Sequence, residues 1–82
     1  PLAENQFAIE DYIAELRINE GSTLIGSTFR AVEESVAGSF SLIGLIRGDV
    51  REAAPSGRRV VREGDLLIVR GDPQAIKSMV EK

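Results

Sequence analysis

The stretch Phe40-Ser41-Leu42-Ile43-Gly44-Leu45-Ile46-Arg47 is apolar on both of its alternation classes, Phe40, Leu42 and Ile46 on one and Ile43 and Leu45 on the other. A strand wetted on one side alternates apolar with polar, so a run without that alternation reads as a strand covered on both sides. It is expected to be the central strand of a sheet. Gly48-Asp49 then offers the backbone angles of a tight hairpin, and Val50 to Ala54 returns antiparallel. Pro55-Ser56-Gly57 breaks that strand, Val60 and Val61 touch the core briefly, and Arg62-Glu63-Gly64-Asp65 makes a further turn. Leu66 to Arg70 closes the sheet, again apolar on both faces.

Upstream, Asp11 to Ile18 alternates, with Tyr12, Ala14, Leu16 and Ile18 on one face and Glu15 and Arg17 on the other, which predicts a half-buried strand. Asn19-Glu20-Gly21-Ser22 is turn chemistry. Phe29, Val32 and Val36 recur at helical spacing after Ser27-Thr28, either of which caps an N-terminus, and Gly38 is the expected stop of a helix about ten residues long. At the other end Asp72 stands as an N-cap, Pro73 suits the first helical position, and Ile76, Met79 and Val80 form one apolar stripe. Residues 1–10 carry no pattern and read as linker, leaving 11–82 as one domain. The fold class is α+β, a small mainly antiparallel sheet with two short helices, in the order strand-helix-strand-strand-strand-helix.

Composition narrows the function. The chain has 82 residues with 10 Lys+Arg against 13 Asp+Glu, and it contains no Cys, His or Trp. A domain this small buries only about 60% of its unfolded surface, so a second copy or partner is expected to complete the core. A net charge of -3 argues against a nucleic-acid partner, whose binders collect Lys and Arg on one face. Thiolate and imidazole chemistry, zinc ligation and the familiar nucleophilic triads are excluded, so no enzyme activity, metal or cofactor is expected. The longest stretch free of charge, Ser35 to Ile46, is 12 residues, short of the about 20 that a membrane helix needs.

The charge is uneven: residues 1–46 hold 2 basic and 7 acidic residues, and residues 47–70 hold 6 basic and 4 acidic. The run Gly21 to Thr28 imitates a phosphate loop, but Ser27 occupies the place of the lysine, so it reads as turn and cap. Asp65 and Asp72 also read as turn and cap. Among Arg47, Arg51, Arg58, Arg59, Arg62 and Arg70, the adjacent loop pair Arg58 and Arg59 is the candidate contact for a small anionic ligand, since guanidinium forks pair with phosphate or carboxylate. Interleaved acids make a solvated face the competing reading.

The run Tyr12 to Ile18, followed by Glu20-Gly-Ser-Thr-Leu-Ile-Gly-Ser-Thr-Phe-Arg30, resembles the opening of the TrkA C-terminal domain, also called the RCK C-terminal domain. Leu42-Ile-Gly-Leu-Ile-Arg-Gly48 resembles that family's central strand, and Pro55, Val60 and Glu63-Gly-Asp-Leu-Leu-Ile-Val-Arg-Gly-Asp72 its closing signature. The resemblance implies a non-catalytic, ligand-sensing and dimerising domain on the cytoplasmic side of the membrane. Its partner would be a transporter or channel for a cation of the potassium type or for an anion, in the same chain or a separate subunit. A purely structural interaction domain is the alternative. In similar domains that bind cyclic dinucleotides, an Arg near the end of the first helix and an Asn entering the central strand hold the ligand. Here those positions carry Ser35 and Ser41, so no ligand residue is carried over.

Overall fold

A computed structural model describes residues 12–36 and 40–80. The elements are β1 (Tyr12–Arg17), α1 (Phe29–Glu34), β2 (Phe40–Arg47), β3 (Val50–Ala53), β4 (Leu66–Gly71) and α2 (Pro73–Val80). The expected order holds. The four strands form one sheet in the order β1-β4-β2-β3, with every neighbouring pair antiparallel. The proposed linker and Gly38 lie outside the described residues.

Both interior strands come from the two runs that lack alternation. β2 and β4 pair from Phe40 opposite Gly71 to Ile46 opposite Leu66, with one irregularity between Leu42 and Gly44 where Ile43 is the extra residue. Gly44 eases the close approach there, because a Cβ would stand 3.2 Å from the Ile68 side chain across the ladder, and Ile68 would have to shift to admit it. Gly48 takes φ +60 in the two-residue turn to β3, a conformation a side chain penalises. β3 ends at Ala53, one residue short of expectation, because Ala54 turns to φ +48 and leaves the strand.

Leu16, Phe40, Leu42, Leu45, Leu67 and Val69 face both helices across one core, completed by Phe29, Val32, Val61, Ala75 and Met79. The two helices serve this face alone. The opposite face of the interior strands carries Ile43, Ile46, Leu66 and Ile68, all only partly buried, so β2 and β4 are covered on one side rather than two.

Three local expectations shift. α1 has six residues rather than about ten, because Ser35 draws both its N–H (3.2 Å) and its hydroxyl (2.7 Å) onto the Val32 carbonyl and closes the last turn early. Val36 is buried beyond the helix end. On α2 the buried stripe runs through Ala75 and Met79 with Ile76 beside it, whereas Val80 stays 62% exposed. Tyr12 is 54% exposed because it pairs with Gly71, which offers no side chain to pack against.

Leu67 is wholly buried at the centre of the interior pair. Leu67→Ala is expected to destabilise the domain by about 2–5 kcal/mol. Urea unfolding should show a lower midpoint with an unchanged slope.

Candidate functional site

The Arg58–Arg59 loop is pinned to the start of α1 by that helix's own unsatisfied donors. The Phe29 N–H donates to the Arg59 carbonyl (2.8 Å), the Arg30 N–H to the Gly57 carbonyl (2.9 Å) and the Ala31 N–H to Thr28 Oγ1 (3.1 Å). Three orphan groups are thereby satisfied, and Thr28 is the cap rather than Ser27. Val60 continues the contact by bridging to Thr28, and the Gly26 N–H donates to the Val61 carbonyl (3.0 Å).

Arg58 is exposed, and its N–H bonds the Ser56 hydroxyl at 3.1 Å. Arg59 is half-buried, and its Nε donates to Glu52 Oε1 at 2.9 Å, which ties the loop to β3. Arg30, on the helix, is not among the arginines that the sequence pattern singles out. It nevertheless lies over Gly57, where an added Cβ would approach its Nε to 3.2 Å, so three arginines gather on this loop. The other basic residues scatter: Arg62 is exposed at the next turn, and Arg51 and Arg70 belong to the sheet.

Arg47 has a different role. Its Nε donates to Asp65 Oδ1 (2.8 Å), and one guanidinium nitrogen donates both to Asp65 Oδ2 (2.8 Å) and to the Val60 carbonyl (2.8 Å). Asp65 is a turn residue as expected, but it is also a buried carboxylate holding a fork, which local sequence could not reveal. Burial alone would raise its carboxyl pKa. The Arg47 fork, the Arg62 N–H at 2.9 Å and the positive charges of both arginines outweigh burial and hold it below the ordinary range. The Asp65 hydrogen bond correspondingly raises Arg47.

Ser35 and Ser41 do not meet as a site. Ser35 is spent on Val32, and Ser41 is exposed on β2. Just outside them in sequence, Glu33 Oε2 accepts the Leu42 N–H at 2.7 Å, so a carboxylate stands beside the start of β2. That N–H lies past the end of β3 and has no strand to pair with on that side. Asp72 caps α2 by accepting the Ala75 N–H at 2.8 Å. Among the described residues no group of three or more acids could hold a metal ion, and no helix is long and apolar enough to cross a membrane.

The TrkA-C domain model matches residues 13–82. An uncharacterized transporter, sll0640, of Synechocystis sp. (strain ATCC 27184 / PCC 6803 / Kazusa) is 34% identical over 65 residues, which is 79% of this chain. The chain spans only 11% of that transporter's length. Among solved structures, the RCK C domain of the potassium transport protein KtrA, in complex with cyclic diadenosine monophosphate, superposes with a TM-score of 0.73 at 21% identity. It covers 98% of this chain and 92% of that one. At that identity the likeness shows a common fold.

Because the carboxyl pKa of Asp65 is lower folded than unfolded, the unfolded chain binds more protons in the window between the two values. Stability from the pair is therefore complete above about pH 4 and lost as pH falls through the folded value. Asp65→Ala, which leaves the partly exposed Arg47 fork and the Arg62 N–H without their carboxylate, is expected to cost about 1–3 kcal/mol near neutrality. Denaturant titrations from pH 7 to pH 3 should show a smaller acid-side slope in the variant.

Proposed function

The chain belongs to the TrkA-C domain family, and from that membership we propose that it is a regulatory, non-catalytic domain of an ion-transport protein. The transporter relative, of which a stretch this long forms a small part, supports a place within or beside a carrier or channel for a cation of the potassium type or for an anion. The working side is the cytoplasm. The observation that carries this reading is the family match over residues 13–82 together with the superposition on a potassium-transport regulator's domain.

In this reading the arginine loop is the sensing element. Arg58 and Arg59, with Arg30 beside them, contact a small anion, the loop being held rigid by its bonds to α1. A preformed loop loses little entropy on binding, which favours affinity. The positions at which related domains hold a cyclic dinucleotide carry Ser35 and Ser41 here, with the Glu33 carboxylate beside them, so phosphates are better received at the arginines.

The domain also works as a dimer. Ile43, Ile46, Leu66 and Ile68 leave the interior strands half-covered, and so small a core gains from association. Two copies supply the two arrangements that regulation needs, because a ligand shifts an equilibrium only by binding one arrangement better than the other.

Sedimentation of the 82-residue chain should show a dimer at tens of micromolar or above, and monomer alone at all concentrations would count against this part. In thermal-shift assays, phosphate, mononucleotides and cyclic diadenosine monophosphate serve as probes. At least one anion should raise the midpoint, as expected for a ligand that binds only the folded state. Arg58→Ala and Arg59→Ala should abolish that rise while changing stability by no more than about 0.5–1 kcal/mol. A flat response to every probe in the native chain would favour an interaction domain without a small ligand.

A further inference from the structure

β1 lies at the rim of the sheet, and its outward edge has no strand partner among the described residues. The direction of its backbone groups follows from Ile18, whose N–H donates to the Asp65 carbonyl (2.9 Å) and whose carbonyl accepts from the Gly64 N–H (2.7 Å). Both groups of Ile18 therefore point inward, toward β4. Backbone groups alternate along a strand, so Leu16 and Ala14 also point inward, while Ile13, Glu15 and Arg17 turn their N–H and C=O to the open rim.

Such a rim is a template for another strand unless it is blunted by Pro, charged side chains or a bulge. β1 has no Pro and no bulge, its register with β4 runs unbroken from Tyr12 to Arg17, and its two charges are of opposite sign, so they exclude some partners and select others. Beside the rim lies an open groove of about 480 Å³ of mixed character, with Leu16, Ile18 and Met79 on its apolar side and Asn19, Glu20 and Ser22 on its polar side. On the other side the side chains of Glu15 and Arg17 stand exposed, two residues apart.

Resting on the dimer reading above, we infer that two copies of this chain pair antiparallel along their β1 rims, with Leu16 at the two-fold axis. Registers that keep core face beside core face match residues of like parity. Centring on Glu15 sets two carboxylates opposite each other. Centring on Ala14 sets Glu15 opposite the partner's Ile13. Centring on Leu16 sets Glu15 opposite the partner's Arg17 and, by symmetry, Arg17 opposite the partner's Glu15. Among the described residues only this last register makes two ion pairs, between side chains whose Cβ atoms lie about 4.5–5.5 Å apart.

The same register satisfies the open backbone groups of residues 15 and 17 in both copies. Rim pairing extends the sheet and leaves the outer face with Ile43, Ile46, Leu66 and Ile68 as it is in each copy, so the dimer it makes rests on the small core and not on that face. Face-to-face packing would cover those residues but is opposed by charge. Among the described residues each surface carries Arg17 and Arg51 against Glu15, so two copies would oppose like charge.

The test is sedimentation equilibrium of the 82-residue chain, native and as Glu15→Arg, Arg17→Glu and the double exchange, with circular dichroism to monitor folding. Each single change sets like charges opposite at two places and should weaken the dimer at least about tenfold. The double exchange restores both pairs with reversed polarity and should return the dissociation constant to near the native value. A native dimer that both single variants leave unchanged, or that the double exchange fails to recover, overturns the β1 rim and leaves the dimer reading standing. A native chain that stays monomeric at hundreds of micromolar overturns both.

Discussion

The Asp65 carboxylate gathers the parts of the domain that sequence keeps apart. Through its side chain it holds Arg47 at the end of β2 and the Arg62 N–H of the preceding turn. Through its carbonyl it holds Ile18, just past β1. Arg47 in turn reaches the Val60 carbonyl, which lies beside the arginine loop. A buried carboxylate is expensive unless its acceptors are filled, and here both oxygens receive donors, so the burial cost is offset by charge-assisted bonds. Moving β1, β2 or the loop by one residue would strand the charge. The ion pair thus fixes relative placement where apolar packing alone would tolerate slippage.

That pair also marks where sequence reasoning stops. The caps and turns were legible because each is a local contest for a few N–H groups: Asp72 bonds the Ala75 N–H and Gly48 makes the hairpin turn, as the residues indicate. The two interior strands were legible from runs without alternation. Arg47 and Asp65 are 18 residues apart, and both belong to turn-rich, charge-rich stretches where a solvated role is the ordinary one. Nothing short of the fold joins them. The shortened α1 is a competition of another kind: the Val36 spacing favours helix, but Ser35 closes onto Val32 and the chain leaves the helix with Val36 still buried.

The uncovered outer face has a plainer origin. Four strands have two surfaces, and helices of six and eight residues suffice for one. Apolar side chains on both sides of β2 and β4 are therefore consistent with a domain that completes itself through association. Of the candidate anion site, only Arg58 and Arg59 were legible from sequence, because adjacency in a loop is visible there. Arg30 joins them through the hydrogen bonds that dock the loop on α1, a contact across 27 residues, from 30 to 57.

Polar contacts run without a break from this loop to the sheet rim. Arg59 and Val60 are consecutive, the Val60 carbonyl takes Arg47, Arg47 takes Asp65, and the Asp65 carbonyl takes Ile18 at the end of β1. Contiguity alone does not make a switch; that requires two arrangements which a ligand distinguishes by affinity. Arg59 supplies a physical means of distinguishing them, because its guanidinium is shared with Glu52. On the proposed reading, an anion that draws Arg59 away from Glu52 would loosen β3 from the loop, while the Arg47–Asp65 pair holds the loop's other end to β2 and β1. Binding at the arginines would then change one attachment of the loop and preserve the other, the asymmetry that a sensing loop would need to act on its surroundings without unfolding them.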